Sequence, residues 1–541
     1  MRRSRAVITV FFSLLSVIFL GLTFTFVEAV RYRASRAHCA DLMTVGNWSV
    51  FSGFENRLLE KYDLFGIDGS SGGTVSASEL GARLKSSLDE NADVRNNIGG
   101  KLPGLTFDPF QVSIKDAAVT EYALLSDKNG EYFYQQAVDF MHETAWMNAL
   151  GKLSDSARSA RDAQEAIDDY KTAKENADKQ AGDIKTQSAS LESQLQKQAS
   201  PDQVSGSASP PGAVVITDNA SGQTAGPPTS AQSEAKEKLE EKKKADKVKN
   251  PLFKMIALKF KSPLDLVCGS LKISGKKLPG WTLLSKRSKN KGTLKLDQDR
   301  GGITDDLLFR EYLLDHFPDW ASGKKENSLD YQIEYIIGGK ASDKKNLKKV
   351  VTKMILLREA YNYLYLQADP SAFEETSSLA TALLGWTGNA ALIESLREAL
   401  LVYWAYGESL YDVRILMHGG RVPLVKTPDD WHVPMNKLYY LEELLKKADH
   451  ISGKGEDYSD YLRLLLNMQF ISTQKKRGLD LMETDLRQED GMESFRADNC
   501  VIAMKDTCVW NISPVFSSVP SVFLGTSFSG GSFQTDSGFA Y

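Results

Sequence analysis

The sequence is poor in the residues that most often hold metals or form a disulfide framework. Its 541 residues include 4 cysteines and 6 histidines. No cysteines are spaced as CxxC and no histidines stand at metal-ligand spacing, so neither a zinc site nor a disulfide-rich scaffold is predicted. Cys500 and Cys508 are close enough in sequence to form a disulfide across a hairpin, and two unpaired buried thiols are the alternative.

Motifs for nucleotide binding and for nucleophilic catalysis are also missing. No GxSxG, HExxH or GxGxxG occurs, and the segment GGKASDKK (338–345) has Glu334 where a phosphate-binding loop requires glycine. The net charge of −4 offers no basic field for nucleic acid. The sequence therefore predicts a non-enzymatic protein with no cofactor and no nucleic-acid partner, and it identifies no small-molecule substrate.

One long apolar run does stand out, at the N-terminus. Residues 6–27 carry no charge, and about 20 apolar residues suffice to span a bilayer. A cleaved signal peptide has a shorter apolar core of about 7–15 residues, so the run predicts an uncleaved transmembrane helix in contact with lipid. Arginines flank both of its ends. Because only residues 1–5 precede it, we predict a cytoplasmic tail and a single-pass cell-membrane protein whose bulk is extracytoplasmic.

Residues 28–152 predict a membrane-proximal α/β region. The first proline is Pro103, so the membrane helix is expected to continue into a stalk that extends to about Tyr62. Apolar and polar residues alternate over Phe110–Ile114, which predicts a strand, and the tail from Cys500 has strand composition and is expected to pair with it. The last residues, 526–541, are predicted to be loose.

Residues 153–249 differ in character from both neighbouring parts. A weak apolar seam with 3-4 spacing includes Ile167, Tyr170 and Ile184, while Lys174 and Ser188 interrupt it. Residues 200–233 lack aromatic side chains and predict a flexible linker. We therefore predict an exposed helical arm inserted between two folded parts, and a partner-binding coiled coil is the alternative.

Residues 250–541 predict a mainly helical C-terminal domain with strands at its end. Several stretches, among them LFREYLLDHF and LLREAYNYLYLQAD, have apolar residues at i, i+3 and i+4. Together with the short strand patterns, they indicate a mainly α fold with a small β component, of the α+β class.

Two carboxylates inside an apolar helical stretch are the strongest candidates for chemistry. Glu408 and Asp412 lie four residues apart on one helical face, with Arg414 and Arg397 available in sequence. Paired carboxylates can act in acid–base catalysis. More often they form a buried ion-pair network, in which the loss of one member destabilises the protein by about 3–5 kcal/mol. We therefore predict a structural network of these four residues.

The segment IDGSSGGTVSASEL (67–80) has the spacing of a calcium-binding EF-hand loop. Its candidate ligands would be Asp68, Ser70, Thr74, Ser76 and Glu79. A calcium site needs six to eight oxygens and several carboxylates, whereas this loop supplies only two carboxylates and has Gly72 at its fifth position. The simpler prediction is a glycine-rich turn, followed by a helix that Ser76 or Ser78 caps. No metal is therefore expected.

Several segments together resemble a bacterial family of unknown function, number 5702 among the domains of that kind. They are ITVFFSLL, EAVRYRASRAHCADLM, LLEKYDLFGID (58–68), DYQIEYIIGGKASDKKNLKKVV and YWAYGESLYDVRILMHGGRVPLVKT. The combination covers nearly the whole chain outside residues 153–249.

The resemblance implies a pseudopilin-like accessory protein of a tight-adherence pilus system. On that basis residues 28–152 are expected to be the pseudopilin-like region, and protein partners in a pilus or secretion complex are expected. The resemblance supplies no catalytic residues. A tethered cell-surface binding protein, either an adhesin or a wall-associated sensor that works without pilus machinery, is the alternative.

Overall fold

The computed structural model describes residues 2–70, 73–92, 108–144, 148–200, 230–279, 283–297, 300–323, 328–516 and 530–541. The α-helices in these ranges are α1 (Arg2–Phe51), α2 (Asn56–Tyr62), α3 (Ala77–Ala92), α4 (Asp127–Thr144), α5 (Asn148–Ala199), α6 (Ser230–Ala245), α7 (Pro251–Lys259), α8 (Pro263–Cys268), α9 (Ile303–His316), α10 (Gln332–Gly338), α11 (Asp343–Ala368), α12 (Pro370–Leu384), α13 (Ala390–Met417), α14 (Leu441–Leu445), α15 (Tyr458–Asn467) and α16 (Ile471–Leu486). The strands are β1 (Ile67–Asp68), β2 (Val112–Leu124), β3 (Cys500–Ile512) and β4 (Gly531–Ala540). The prediction of a mainly helical fold with a small β component is confirmed.

Helix α1 is one continuous helix with two different environments. Its first part leaves large apolar side chains bare, including Phe11, Phe19 and Phe26. The most apolar window of α1 has a mean hydropathy of 2.5. Within the described ranges, α1 is the one helix long and apolar enough to cross a membrane by length and composition. The predicted continuation of this helix beyond residue 27 is confirmed, although it ends at Phe51 rather than near Tyr62.

The second part of α1 lies along the sheet. Near its start, Arg31 Nη1 donates to the carbonyl of Phe110 at 2.8 Å, and Arg31 Nη2 donates to the carbonyl of Ser513 at 2.7 Å. At its end, the Tyr541 hydroxyl donates to the carbonyl of Phe51. Buried side chains of α1, such as Leu42, join those of α3 and the strands in one apolar core. The helix is thus fixed to the sheet over about 30 Å, the rise of 20 helical residues.

The sheet is antiparallel and is centred on β3. Strand β2 pairs along one edge of β3, with Ile114 opposite Trp510, and β1 and β4 share the other edge. The predicted pairing of the Phe110–Ile114 region with the tail is therefore confirmed. One sheet thus unites strands from residues 28–152 with strands from residues 250–541, two segments that were predicted to be separate domains.

The prediction of loose residues after 526 is wrong over Gly531–Ala540, which form β4. This segment has few β-branched residues, so its intrinsic strand preference is low. Tertiary contacts supply the stability that this low strand preference does not. Phe539 stacks on Phe51 of α1 with ring centroids 4.5 Å apart, and Phe533 lies 6.5 Å from Tyr32.

Gly46 lets α3 pack closely on α1. A Cβ atom there would lie 2.6 Å from Leu88 Cδ2, whereas a Cβ atom at Gly182 in α5 would meet nothing within 4 Å. We expect Gly46→Val to lower the free energy of unfolding by about 2 kcal/mol through overpacking. Gly182→Val should raise it by a few tenths of a kcal/mol, since valine favours a helix more than glycine does. Urea unfolding of detergent-solubilised protein would measure both; equal effects would contradict the packing argument.

Helix α5 is less exposed than predicted. Its seam residues Ile167, Tyr170 and Ile184 are buried in the core that α11 and α13 also build. Lys174 interrupts the seam because its ammonium group reaches the buried carboxylate of Glu359 on α11 at 2.6 Å. The predicted exposed helical arm is therefore corrected on one face, where alanines in the seam allow α5 to pack on the C-terminal helices. The predicted flexible linker, 200–233, lies mostly outside the described residues.

Candidate functional site

Helix α13 carries the two predicted carboxylates into the protein interior. Every residue from Ala399 to Met417 is buried, because α12, α11, α5 and the segment that follows α13 surround it. Glu408 and Asp412 have no solvent exposure. Each carboxylate therefore needs partners inside the protein, since an isolated buried charge is strongly unfavourable.

Glu408 is held by a lysine and by two backbone amides. The ammonium group of Lys426 donates to Glu408 Oε1. The amide of His432 donates to the same oxygen at 3.0 Å, and the amide of Val433 donates to Oε2 at 2.7 Å. These three donors all come from the segment after α13, so Glu408 fastens that segment onto the helix.

Asp412 receives the same lysine and an arginine from α11. Lys426 Nζ donates to Asp412 Oδ1 at 2.6 Å, while Arg358 Nε and Asn362 Nδ2 donate to Oδ2 at 3.0 and 2.9 Å. Burial by itself would raise the pKa of Asp412, but Lys426 and Arg358 hold that pKa below its ordinary value. The aspartate is therefore ionised at neutral pH, and two cations balance the two carboxylates.

Arg358 extends the cluster to the loop between α13 and α14. It is fully buried, and its Nη1 donates to the carbonyls of Pro423 and Leu424 at 2.9 and 2.8 Å. Lys426 also lies over the ring of Trp431, 5.3 Å from its centroid. The side chains and the loop carbonyls thus satisfy one another, which is the condition for a stable buried polar network.

The cluster also meets the simplest geometric test for a metal site. Glu408, Asp412 and His432 offer ligand atoms that lie within 4.8 Å of one another. However, the Lys426 ammonium group contacts both carboxylates, in the position a cation bridging them would take. A metal would have to displace an ammonium group that is itself buried. The arrangement therefore suits a structural clamp better than a metal centre or an acid–base pair.

The two arginines predicted for this network lie elsewhere. Arg414 pairs with Asp449, with Nε 2.5 Å from Oδ1 and Nη2 2.9 Å from Oδ2. Arg397 pairs at the surface with Glu394 on its own helix, at 2.9 Å. The correction has a geometric reason: Arg414 lies on a different face of α13 from the carboxylates, and Arg397 lies about 17 Å from Glu408 along the helix axis, since it is eleven residues earlier.

The partners that sequence reasoning missed are Lys426, Arg358 and Asn362. Lys426 follows an irregular loop in which no periodicity indicates burial. Arg358 did give a signal, since the adjacent charges Arg358 and Glu359 interrupt the apolar stretch MILLREAYNYL. Charges at such positions indicate buried pairing, but they do not identify the partner.

The glycine-rich segment near Asp68 forms a turn beside the sheet. Asp68 Oδ1 accepts bonds from the amide and the hydroxyl of Ser70, at 2.9 and 2.7 Å. The Ser76 hydroxyl accepts from the Glu79 amide at 3.4 Å, and the Glu79 side chain lies 3.6 Å from Arg83. Asp68 and Glu79, the two carboxylates of the candidate calcium loop, therefore interact with different groups. Ser71 and Gly72 lie outside the described residues.

The four cysteines are buried thiols. Cys500 and Cys508 lie on the same strand, β3, and eight residues of extended chain span about 26 Å. A disulfide requires Cα atoms within about 7 Å, so of the two alternatives the structure excludes the disulfide and has the two unpaired buried thiols. Burial raises the pKa of the Cys508 thiol to about 12, which leaves it unreactive at neutral pH.

Comparison with known proteins identifies a family but no function. The model of a family of unknown function, DUF5702, matches residues 241–512, which are half of the chain. This match includes α13, Lys426 and strand β3. No curated protein and no solved structure matches the chain. The protein belongs to the family of unknown function DUF5702.

Proposed function

We propose that this protein is a membrane-anchored structural or assembly component of a tight-adherence-type pilus or secretion apparatus, and that it is not an enzyme. In this proposal residues 6–27 span the cell membrane, residues 1–5 are cytoplasmic and the bulk of the chain is extracytoplasmic. Its partners are other proteins of the complex.

The observation that carries the proposal is the division of α1. Residues with bare apolar side chains precede residues that are packed into the sheet, and no break in the helix separates them. A force or displacement applied to the folded part would therefore pass directly to the membrane segment. A flexible tether, which suffices to keep a soluble enzyme near a membrane, has no need of such a rigid connection.

The charge cluster supports the same interpretation. Glu408, Asp412, Lys426 and Arg358 bind one another and the nearby backbone, so these buried charges hold the helices and the loop together. We regard residues 28–152 as the pseudopilin-like region. Met1–Ile8 contain no glycine, which a prepilin peptidase requires before the membrane helix. We therefore propose that the N-terminal helix is not cleaved and anchors the protein permanently.

The test is a deletion in the native bacterium followed by complementation. We expect loss of surface pili or of secretion, and restoration by the wild-type gene. A matched variant, in which an unrelated apolar span replaces residues 7–27, should also restore them if this segment serves as an anchor. Mass spectrometry should find the intact peptide of residues 1–40 in washed membranes and not in sheared filaments.

Two outcomes would contradict the proposal in different ways. Normal pili with a loss of surface binding would favour a tethered cell-surface binding protein. A trimmed N-terminus in sheared filaments would identify a filament subunit, not an assembly component.

A further inference from the structure

A pocket rich in lysine lies where β2 leads into α4. Its volume is about 380 Å³, and Lys128, Lys289, Lys291 and Lys295 are among the residues that line it. Pockets that bind small molecules commonly enclose about 300–1,000 Å³. This pocket is separate from the charge cluster on α13; only the argument on the source of its ligand rests on the proposed function, through the membrane span of α1.

The lysines of the pocket form no close ion pairs, although Asp127 is near enough to Lys128 and Lys291 to feel their charges. Among the described residues, no carboxylate forms an ion pair with any of these four lysines. Lys128 Nζ donates to a neutral acceptor, the carbonyl of Leu296 at 3.1 Å, and lies over the ring of Tyr132. Four ammonium groups therefore share one concave surface on a chain whose net charge is negative.

The single carboxylate that lines the pocket is already engaged. Asp127 accepts bonds from the Gly292 amide at 3.1 Å and from the Leu124 amide at 2.8 Å. A Cβ atom on residue 292 would lie 2.5 Å from the carbonyl oxygen of Tyr122, so only glycine allows this approach. Asp127 thus positions the lysine-bearing loop at the end of β2.

A second anchor fixes the same loop from its other side. The amide of Asn290 donates to Asp498 at 3.0 Å, and the Asn290 side chain donates to Asn499 at 2.6 Å. Hydrogen bonds of the backbone and of Asn290 therefore hold Lys289 and Lys291 beside the pocket. The lysines themselves remain available to a ligand, which is the arrangement of a preorganised site.

The opposite wall of the pocket has a strained backbone. Lys128, Asn129 and Gly130 have successive φ values of 49°, 65° and 85°, a left-handed conformation that disfavours the first two side chains. Next to them, the buried hydroxyl of Ser126 has no hydrogen-bond partner. Strain and unpartnered polar groups of this kind concentrate at functional sites.

We propose that this pocket binds a phosphate-bearing ligand with at least two negative charges. Lysine ammonium groups are common phosphate partners, and several of them can share the oxygens of one polyanion. The backbone arrangement and the unpaired lysines together favour such an anion over a neutral ligand.

The position of the pocket determines where the phosphate can come from. Leu125, one residue after β2, donates to the carbonyl of Cys500, and Tyr541 joins that end of the sheet to Phe51 of α1. Phe51 is 24 helical residues beyond residue 27, a distance of about 36 Å. Headgroups of the membrane that α1 spans are therefore out of reach, and the source is a soluble molecule or a phosphate-bearing polymer beyond that membrane.

Calorimetric titration of the full chain with inorganic pyrophosphate tests the proposal. In nanodiscs of zwitterionic lipid we expect saturable binding that weakens as salt is added. The double variant Lys289→Gln/Lys291→Gln should weaken it by about tenfold per lysine, the effect of losing a charge-assisted hydrogen bond. The matched control is Lys344→Gln/Lys345→Gln, which removes two exposed lysines of α11 and should leave the affinity unchanged.

Three results would overturn the proposal. The first is that pyrophosphate does not bind the unmodified chain. The second is an equal loss of affinity in the control variant, and the third is an unchanged affinity in the pocket variant. Nanodiscs of anionic phospholipid address the source of the phosphate. Affinity for pyrophosphate should be the same in them, and a lower affinity through competition would show that membrane headgroups do enter the pocket.

Discussion

Replacing Lys426 with methionine is expected to lower the free energy of unfolding by about 3–5 kcal/mol. The substitution preserves much of the side-chain volume but removes the ammonium group that contacts both Glu408 and Asp412. Asp412 would then keep the charge of Arg358, whereas Glu408 would be left with the amides of His432 and Val433. Burial makes this loss large, because water cannot reach the carboxylates to replace the missing partner.

Urea unfolding followed by tryptophan fluorescence measures this effect, since Trp431 lies next to Lys426. The matched control is Lys437→Met, which replaces an exposed lysine after the same loop and should change stability by less than about 0.5 kcal/mol. A double variant, Lys426→Met with Glu408→Gln, should recover part of the loss by restoring charge balance. Equal stability of Lys426→Met and the control would refute the clamp interpretation of the cluster.

A pH-dependent change in stability is expected from Glu334 on α10. Its carboxyl is fully buried, and its Oε1 accepts bonds from the Tyr458 hydroxyl and the Trp320 amide, both at 2.8 Å. Burial raises the pKa of Glu334 from 4.5 to about 8, and the nearby negative charge of Asp319 contributes further. The side chain therefore stays protonated in the folded protein at neutral pH.

The sign of the effect follows from the two pKa values. Below pH 4.5 the glutamate is protonated in both states, so its contribution is fully present. As pH rises towards 8 the unfolded chain ionises while the folded protein does not, and stability falls by up to about 1.4 kcal/mol per pH unit. Glu334→Gln removes this dependence and should leave a protein several kcal/mol more stable at pH 8 than the wild type.

Urea unfolding at intervals between pH 4.5 and pH 8 would reveal the change in slope. Glu375→Gln, an exposed glutamate on α12, is the control and should follow the wild-type profile. If the profile of Glu334→Gln is parallel to that of the wild type, Glu334 is ionised in the folded protein and the argument from burial is incorrect.

Much of this fold could be predicted from local patterns. Amphipathic spacing identified the helices of the C-terminal part, and alternation around Phe110–Ile114 identified β2. β4 could not be predicted, because GSFQTDSGFA becomes a strand only when β3 supplies its hydrogen bonds and α1 supplies aromatic contacts. The packing of α5 could not be predicted from local patterns either. A seam of alanines can be buried against other helices or exposed to solvent, and its sequence does not distinguish the two.

The candidate site shows the same limit. The spacing of Glu408 and Asp412 placed both on one helical face and indicated burial. Their partners Lys426 and Arg358 come from 14 and 54 residues away from Asp412, so their identity depends on tertiary structure. Arg414 is nearer in sequence but lies on another face of the helix, and Arg397 lies about three turns before Glu408, too far along the axis to reach it. Proximity along a helix therefore predicted the carboxylates better than it predicted the cations.

The pairing of β2 with β3 has a consequence for how the protein is made. Leu124 and Cys500 are separated by several hundred residues, and ribosomes add about 5–20 residues per second. β2 must therefore wait roughly 20–75 s for the strand that completes the sheet, at a time when α1 is already synthesised. During this interval a strand with one apolar face and no partner strand lies next to α1 and is prone to aggregation. Efficient production of this protein should therefore depend on a chaperone that shields β2 until β3 emerges.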